Sequence, residues 1–184
     1  MTALVLPLLE NDRIRLRAFT EADIAVVQAA CSDPHIPLIT TVPTNDSEED
    51  ALAFIARQRD RLITGAGYSF AIADAHTDEA VGQIGLWLRH IDDGRADIGY
   101  WIEASHRQAG YATAALGLLT EWAFTIPEVA RLELSVEPWN EPSWRLAERL
   151  GFRREGLMRQ WQTVGDERKD MYLYALLRLD VEHL

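Results

Sequence analysis

The segment that most constrains this chain runs from Asp97 to Ala123, DIGYWIEASHRQAGYATAALGLLTEWA. Its first part alternates like a strand, through Ile98, Tyr100 and Ile102. Its last part carries apolar residues at Ala112, Ala115, Leu116, Leu119 and Ala123, the spacing of one helical face. Between them lies Arg107-Gln108-Ala109-Gly110-Tyr111-Ala112. A strand that turns tightly into a helix leaves several backbone N–H groups unpaired in one place. With the positive end of the helix dipole, those donors form a site for a phosphate group.

The rest of the chain builds outward from that unit. Ile14 and Leu16 alternate with Arg13, Arg15 and Arg17 as a strand, and Thr20-Glu-Ala-Asp23 opens a helix with Ile24 and Val27 on its apolar face. Prolines 34, 37 and 43 predict an irregular segment. Ser47-Glu-Glu-Asp50 opens a second helix with Leu52, Ile55 and Leu62 on one side, and Gly65-Ala-Gly67 ends it as a loop. Strands follow around Tyr68–Ile72, at 81–89 and at 97–102, the last after an Asp92-Asp93-Gly94 turn. The helix after Gly110 is expected to stop near Ile126-Pro127. Leu132, Leu134 and Val136 mark a further strand, Asn140 a helix N-cap, and Gly151 the end of that helix, with Phe152 folding back over it. Two strands, 152–163 and 168–177, flank a turn at Gly165-Asp166. The order is β-α-α-β-β-β-α-β-α-β-β, a single mixed α/β domain spanning residues 1–184.

With 184 residues, 48% of them apolar, the chain can bury a sizeable core. A formal net charge of −11 argues against a nucleic-acid partner, which needs a basic surface. It fits cationic substrates steered by a negative field, and equally an acidic surface that serves only solubility. No apolar run is long enough for a membrane-spanning helix, and MTALVLPLLENDR reads as mature sequence rather than a signal peptide. The single cysteine, Cys31, excludes an internal disulfide and a cysteine metal cluster. It reads as a small core residue rather than a nucleophile, and a cytoplasmic location is the default. No metal is expected.

The run Arg107 to Ala112 resembles the pyrophosphate signature of the GNAT superfamily of N-acetyltransferases: Arg or Gln, two residues, Gly, one residue, then Gly or Ala. Gly110, without a side chain, lets a diphosphate approach the main chain. Four pieces are similar to the RimJ/RimL-like branch. They are Arg13-Ile-Arg-Leu-Arg17 with Thr20-Glu-Ala-Asp23; Asp97-Ile-Gly-Tyr-Trp-Ile102; Arg107 to Ala114; and Asn140-Glu-Pro-Ser143 with Leu150-Gly-Phe152 and Glu155-Gly156. The resemblance covers nearly the whole chain and implies the GNAT fold, a mixed central sheet with splayed strands and flanking helices.

It also implies acetyl-CoA as acyl donor and a primary amine as acceptor. The acceptor is a protein N-terminus or a small amine such as an amino acid, polyamine or antibiotic, attacking directly in a ternary complex. The splayed strands would be 97–102 and 132–136. Main-chain groups of Trp101 and Ile102 would hold the pantetheine, the loop amides of Gln108, Ala109, Gly110, Tyr111, Ala112 and Thr113 the phosphates, and Asn140 the pantetheine from the other side. The Ser143 hydroxyl would bond the thioester sulfur and assist the leaving thiolate; the competing reading is that it caps its own helix.

Only a neutral amine attacks, and unperturbed amines have pKa values of about 8 (α-amino) to about 10.4 (lysine). Asp97 has two readings, a relay that takes the proton through water or a strand-end residue facing solvent. Glu103 is a second base candidate or the start of the loop. Glu133 sits on the polar side of its strand, a position from which it could face the acceptor site, and Glu137 is expected at the surface. His106 contacts phosphate or is a solvated loop histidine. The tryptophans at 87, 101, 122, 139, 144 and 161 are expected mostly in the core or over the coenzyme. A non-catalytic acyl-CoA-binding module is the rival reading. A Rossmann enzyme is disfavoured, because the loop lacks G-x-G-x-x-G spacing. Oligomeric state is left open, a homodimer included.

Overall fold

Two neighbouring strands that run together briefly and then part set the geometry of the molecule. A computed structural model describes residues 4–181. Met1 to Ala3, at the head of the segment read as mature sequence, and the last three residues of the span 1–184 read as one domain lie outside that range. In chain order the elements are β1 (Leu9–Glu10), β2 (Ile14–Arg17), α1 (Ile24–Cys31), α2 (Ile36–Ile39), α3 (Glu48–Ile63), β3 (Gly67–Asp74), β4 (Ala80–His90), β5 (Arg95–Ile102), α4 (Tyr111–Ala123), β6 (Arg131–Val136), α5 (Glu141–Arg149), β7 (Arg153–Val164), β8 (Glu167–Leu177) and α6 (Arg178–Val181). The strands form one sheet in the order β1-β2-β3-β4-β5-β6-β8-β7.

All neighbours are antiparallel except β5 and β6. That parallel pair is in register only from Arg95–Arg131 to Asp97–Glu133. Beyond it β5 stays paired with β4 as far as Ile102, and β6 with β8 as far as Val136. The facing edges of β5 and β6 therefore open into a gap.

Side chains alternate across a strand, so the two faces of the gap differ in chemistry. Ala96, Ile98 and Ile102 of β5 join Leu132, Leu134 and Val136 of β6 in the core beneath α4 and α5. Trp101 belongs instead to the second core, built from Val26, Val27, Ile36, Phe54 and Ile55 of α1, α2 and α3. Because Asp97 pairs with Glu133, the acidic residues of both strands lie on this second face. The open edge thus has an α4/α5 side and an α1–α3 side.

The structure departs from the sequence reading in small elements. The proline segment contains α2, with Pro37 in its first turn, where a missing N–H is harmless. The helix after Gly110 ends at Ala123, ahead of Ile126-Pro127. The buried face of α3 is Ala51, Phe54, Ile55 and Gln58, while Leu52 and Leu62 are only half-buried. β1 and α6 were not expected, and both are too short to show a periodicity. Gly151 adopts φ +87°, and Phe152 N–H bonds back to Ala147 O at 3.0 Å, the helix ending the sequence indicates.

Candidate active site

The loop before α4 takes its shape from two left-handed residues, Gln108 at φ +61° and Gly110 at φ +84°. Gly110 occupies the cap position of α4 and makes no side-chain cap, so the first N–H groups of the helix stay available to an anion. A Cβ on Gly110 would lie 3.4 Å from Arg13 Nε, so a guanidinium stands beside the loop. Tyr111 turns its hydroxyl away to Asp74 at 2.8 Å, which leaves its main chain as the part that can serve a ligand. Arg107 does not project freely. Its Nε donates to Ile102 O at 3.0 Å and its terminal nitrogen to Asp33. Asp33 also accepts from the N–H groups of His35 and Ile36 at 2.8 and 2.9 Å. Burial alone would raise the Asp33 pKa, but the Ile36 and His35 N–H groups and the Arg107 guanidinium hold it below its usual value. Arg107 thus braces the loop and ties it to the segment leading into α2.

Along β5, Glu103 N–H bonds to Val81 O at 2.9 Å, so residues 101 and 103 turn their main chain toward β4. Tyr100 and Ile102 turn theirs into the gap. Trp101 is therefore displaced from its expected role: its main chain faces β4, and its indole N–H donates to Gln83 at 2.7 Å in a buried network with Gln58 and Ser69. The gap-facing groups that fit a pantetheine arm belong to Tyr100 and Ile102.

Across the gap, Asn140 precedes α5. Its carbonyl accepts from Ser143 and Trp144, but its side chain makes no capping bond. Asn140 lines a cavity of about 690 Å³ running through the gap, a size typical of small-ligand sites. Ser143 lines it too, with Oγ 2.9 Å from the Tyr100 hydroxyl. The hydroxyl is bonded across the gap and not to its own helix. Burial pushes the Tyr100 pKa up, and the Ser143 bond opposes this. Sequence reasoning missed Tyr100; the signal was a lone polar group at an alternating position between Ile98 and Ile102.

On the α1–α3 face, Asp97 lies where the strands still pair, with Oδ2 3.5 Å from Arg89 Nε. Burial raises its pKa, Arg89 lowers it and Glu133 adds to the rise. Glu133 is held by Arg131 at 2.6 Å and Arg95 at 3.6 Å. Glu137, expected at the surface, is buried, because the connection into α2 covers it with His35. Glu103 instead accepts from Ser105 N–H and lies 2.9 Å from His106 Nδ1, so it begins the loop and stays outside the cavity. The Trp87 ring packs against Gly85, where a Cβ would fall 2.3 Å from it, and the Arg61 guanidinium lies 4.2 Å from the indole centroid. α2 and the β7–β8 hairpin wall this face through Ile39, Thr40, Met158 and Trp161. Trp139 and Trp161 are exposed, unlike the tryptophans that pack in the core. Among the described residues no group of histidine, cysteine and carboxylate side chains could hold a metal ion, and no helix is long and apolar enough to cross a membrane.

Known proteins share this architecture. A family model described as an acetyltransferase (GNAT) domain matches residues 13–153. The N-acetyltransferase p20 of Bacillus licheniformis is 31% identical over 170 residues, 92% of this chain and 96% of the relative. The ribosomal-protein-serine acetyltransferase of Escherichia coli is 30% identical over 129 residues, 70% of this chain and 71% of the relative. Among solved structures, RimJ of Mycobacterium smegmatis in complex with CoA-disulfide superposes with a TM-score of 0.83 at 26% identity, covering 95% of this chain and 89% of that one. A parallel pair that parts beside a glycine-bearing helix entry, matched by a family model over most of the chain, places this protein among the GNAT acetyltransferases, in their RimJ/RimL-like branch, as an acetyl-transferring enzyme.

Proposed function

We propose that the chain transfers the acetyl group of acetyl-CoA to a primary amine, either a protein N-terminal α-amino group or a small amine, by direct attack in a ternary complex. The observation that carries this is one continuous cavity through the β5–β6 gap. It joins the Ser143–Tyr100 pair on the α4/α5 side to the carboxylates on the α1–α3 side. The main-chain N–H groups from Gln108 to Thr113 hold the diphosphate, with Arg107 bracing the loop. Tyr100 and Ile102 main chain and the Asn140 side chain hold the pantetheine. Ser143 donates to the sulfur as the thiolate leaves, and Tyr100 supports that hydroxyl. Asp97, its pKa lifted by burial, relays a proton through water. The RimJ complex with CoA-disulfide and the ribosomal-protein-serine acetyltransferase support this donor and a protein amine.

The test is release of free thiol from acetyl-CoA with peptides bearing free N-termini, amino acids and polyamines. Acceptor-dependent thiol release with a matching acetylated product is the expected outcome. Coenzyme binding without turnover on any amine would leave a binding module in place of the enzyme.

A further inference from the structure

Three carboxylates line the α1–α3 face of the cavity, and they are not equivalent. Asp97 has Arg89, and Glu133 has Arg131 and Arg95. Glu137 pairs with no arginine or lysine among the described residues, although its side chain is only 5% exposed. Its Oε2 accepts from Trp139 Nε1 at 2.8 Å. Among the described residues its Oε1 has no hydrogen-bond partner, and His35 Nε2 lies 3.3 Å from it. A buried carboxylate oxygen without a donor is costly to keep, and such groups mark places where a ligand completes the bonding.

The position fits an amine. Glu137 follows β6 directly and its carbonyl accepts Asn140 N–H at 2.9 Å, so it is three residues before the side chain facing the pantetheine. It lies at the end of β6 where the gap is open, whereas Asp97 lies where the strands still pair. The indole that bonds Oε2 and the imidazole 3.3 Å from Oε1, their ring centroids 4.8 Å apart and edge to face, flank the carboxylate on both oxygens.

We infer that Glu137 Oε1 is the seat of the acceptor's ammonium group and accepts its proton. This rests on the acetyl-transfer reading above. The ammonium gives one proton to Glu137, and the neutral nitrogen attacks the thioester carbonyl. The C–N bond forms and the C–S bond breaks; the second N–H proton goes to the departing sulfur through Ser143. Glu137 then loses its proton to solvent. The acceptor class is a primary amine that arrives charged, and Asp97 adds a longer-range, water-mediated contribution.

The test needs no knowledge of the natural acceptor. Two coenzyme thioethers serve as probes: S-(2-aminoethyl)-CoA, which puts an ammonium beyond the sulfur, and S-propyl-CoA, its neutral counterpart of similar shape. Calorimetric titration should show the wild type binding the ammonium form at least about tenfold more tightly. Glu137→Gln keeps an acceptor for Trp139 and should erase that preference while binding the propyl form as the wild type does. In acetyl transfer the same variant should lose about 100-fold or more in kcat/KM for the amine, with the KM for acetyl-CoA unchanged. A wild-type ratio near one, or the same ratio in Glu137→Gln, overturns the inference and leaves the coenzyme reading intact. Failure of both thioethers to bind the wild type overturns the coenzyme reading and the inference with it.

Discussion

At the scale of single residues, the role proposed for Ser143 rests on what its hydroxyl does not do. It makes no bond to its own helix and meets Tyr100 across the gap. Ser143→Ala should lower kcat by roughly 5- to 150-fold, the equivalent of ~1–3 kcal/mol in the transition state, with coenzyme affinity and Tm nearly unchanged. Tyr100→Phe should reproduce part of that loss. Steady-state kinetics with melting curves checks both, and a lower Tm with unaltered kcat would return Ser143 to a structural role. Gly110 is constrained differently. At φ +84° any other residue is strained by about 1–2 kcal/mol. In Gly110→Asp the new carboxylate would also stand beside Arg13, the neighbouring guanidinium, and add negative charge next to the loop. Titration with coenzyme A should show binding abolished in a folded variant; unchanged affinity would remove the loop from the site.

At the scale of elements, the link from Asp33 to Arg107 joins the loop before α4 to α2, the wall of the opposite face. Asp33→Ala would leave a guanidinium and two N–H groups without their acceptor, a loss of roughly 1–3 kcal/mol for hydrogen bonds to a charged group. Both a lower Tm and a raised KM for acetyl-CoA should follow, measured by melting and initial rates. A change confined to Tm would show that the link stabilises the fold without shaping the loop. Neither half of this link was visible in the sequence as a pair, since 74 residues separate them.

Across the whole molecule, charge acts at two ranges. The net charge of −11 sets a field that draws cations, so kcat/KM for cationic acceptors should fall as salt rises, and a flat response would reduce the acidic surface to a solubility feature. Acid stability also has a local contribution. Asp74 accepts from Tyr111 O–H and from the N–H groups of His76 and Thr77, which together depress its pKa from 3.8 to about 2. A depressed carboxylate stabilises the fold above its unfolded pKa and loses that contribution as pH falls through the folded value. Acid unfolding should therefore steepen between about pH 4 and about pH 2, and Tyr111→Phe should flatten that limb. Asp97 runs the other way: its raised pKa favours folding while protonated, a contribution lost as pH rises through the folded value.

What the sequence determined by itself was whatever depends on neighbours along the chain. Strand alternation in Asp97–Ile102, the helical stripe from Ala112 to Ala123, the glycine at the helix entry and the Gly151 ending all follow from local backbone preference and periodicity, and all appear in the structure. The GNAT architecture was legible for the same reason, because its strand–loop–helix unit is contiguous. Contacts between distant segments were decided only in three dimensions. Whether Trp101 or Tyr100 turns its main chain into the gap depends on the register with β4, which no residue of β5 encodes alone. Glu137 reads as a polar strand-end residue until the connection into α2 folds across it and removes water, leaving a carboxylate with one oxygen unpartnered. Burial is a property of what packs above a residue, and that belongs to the tertiary fold.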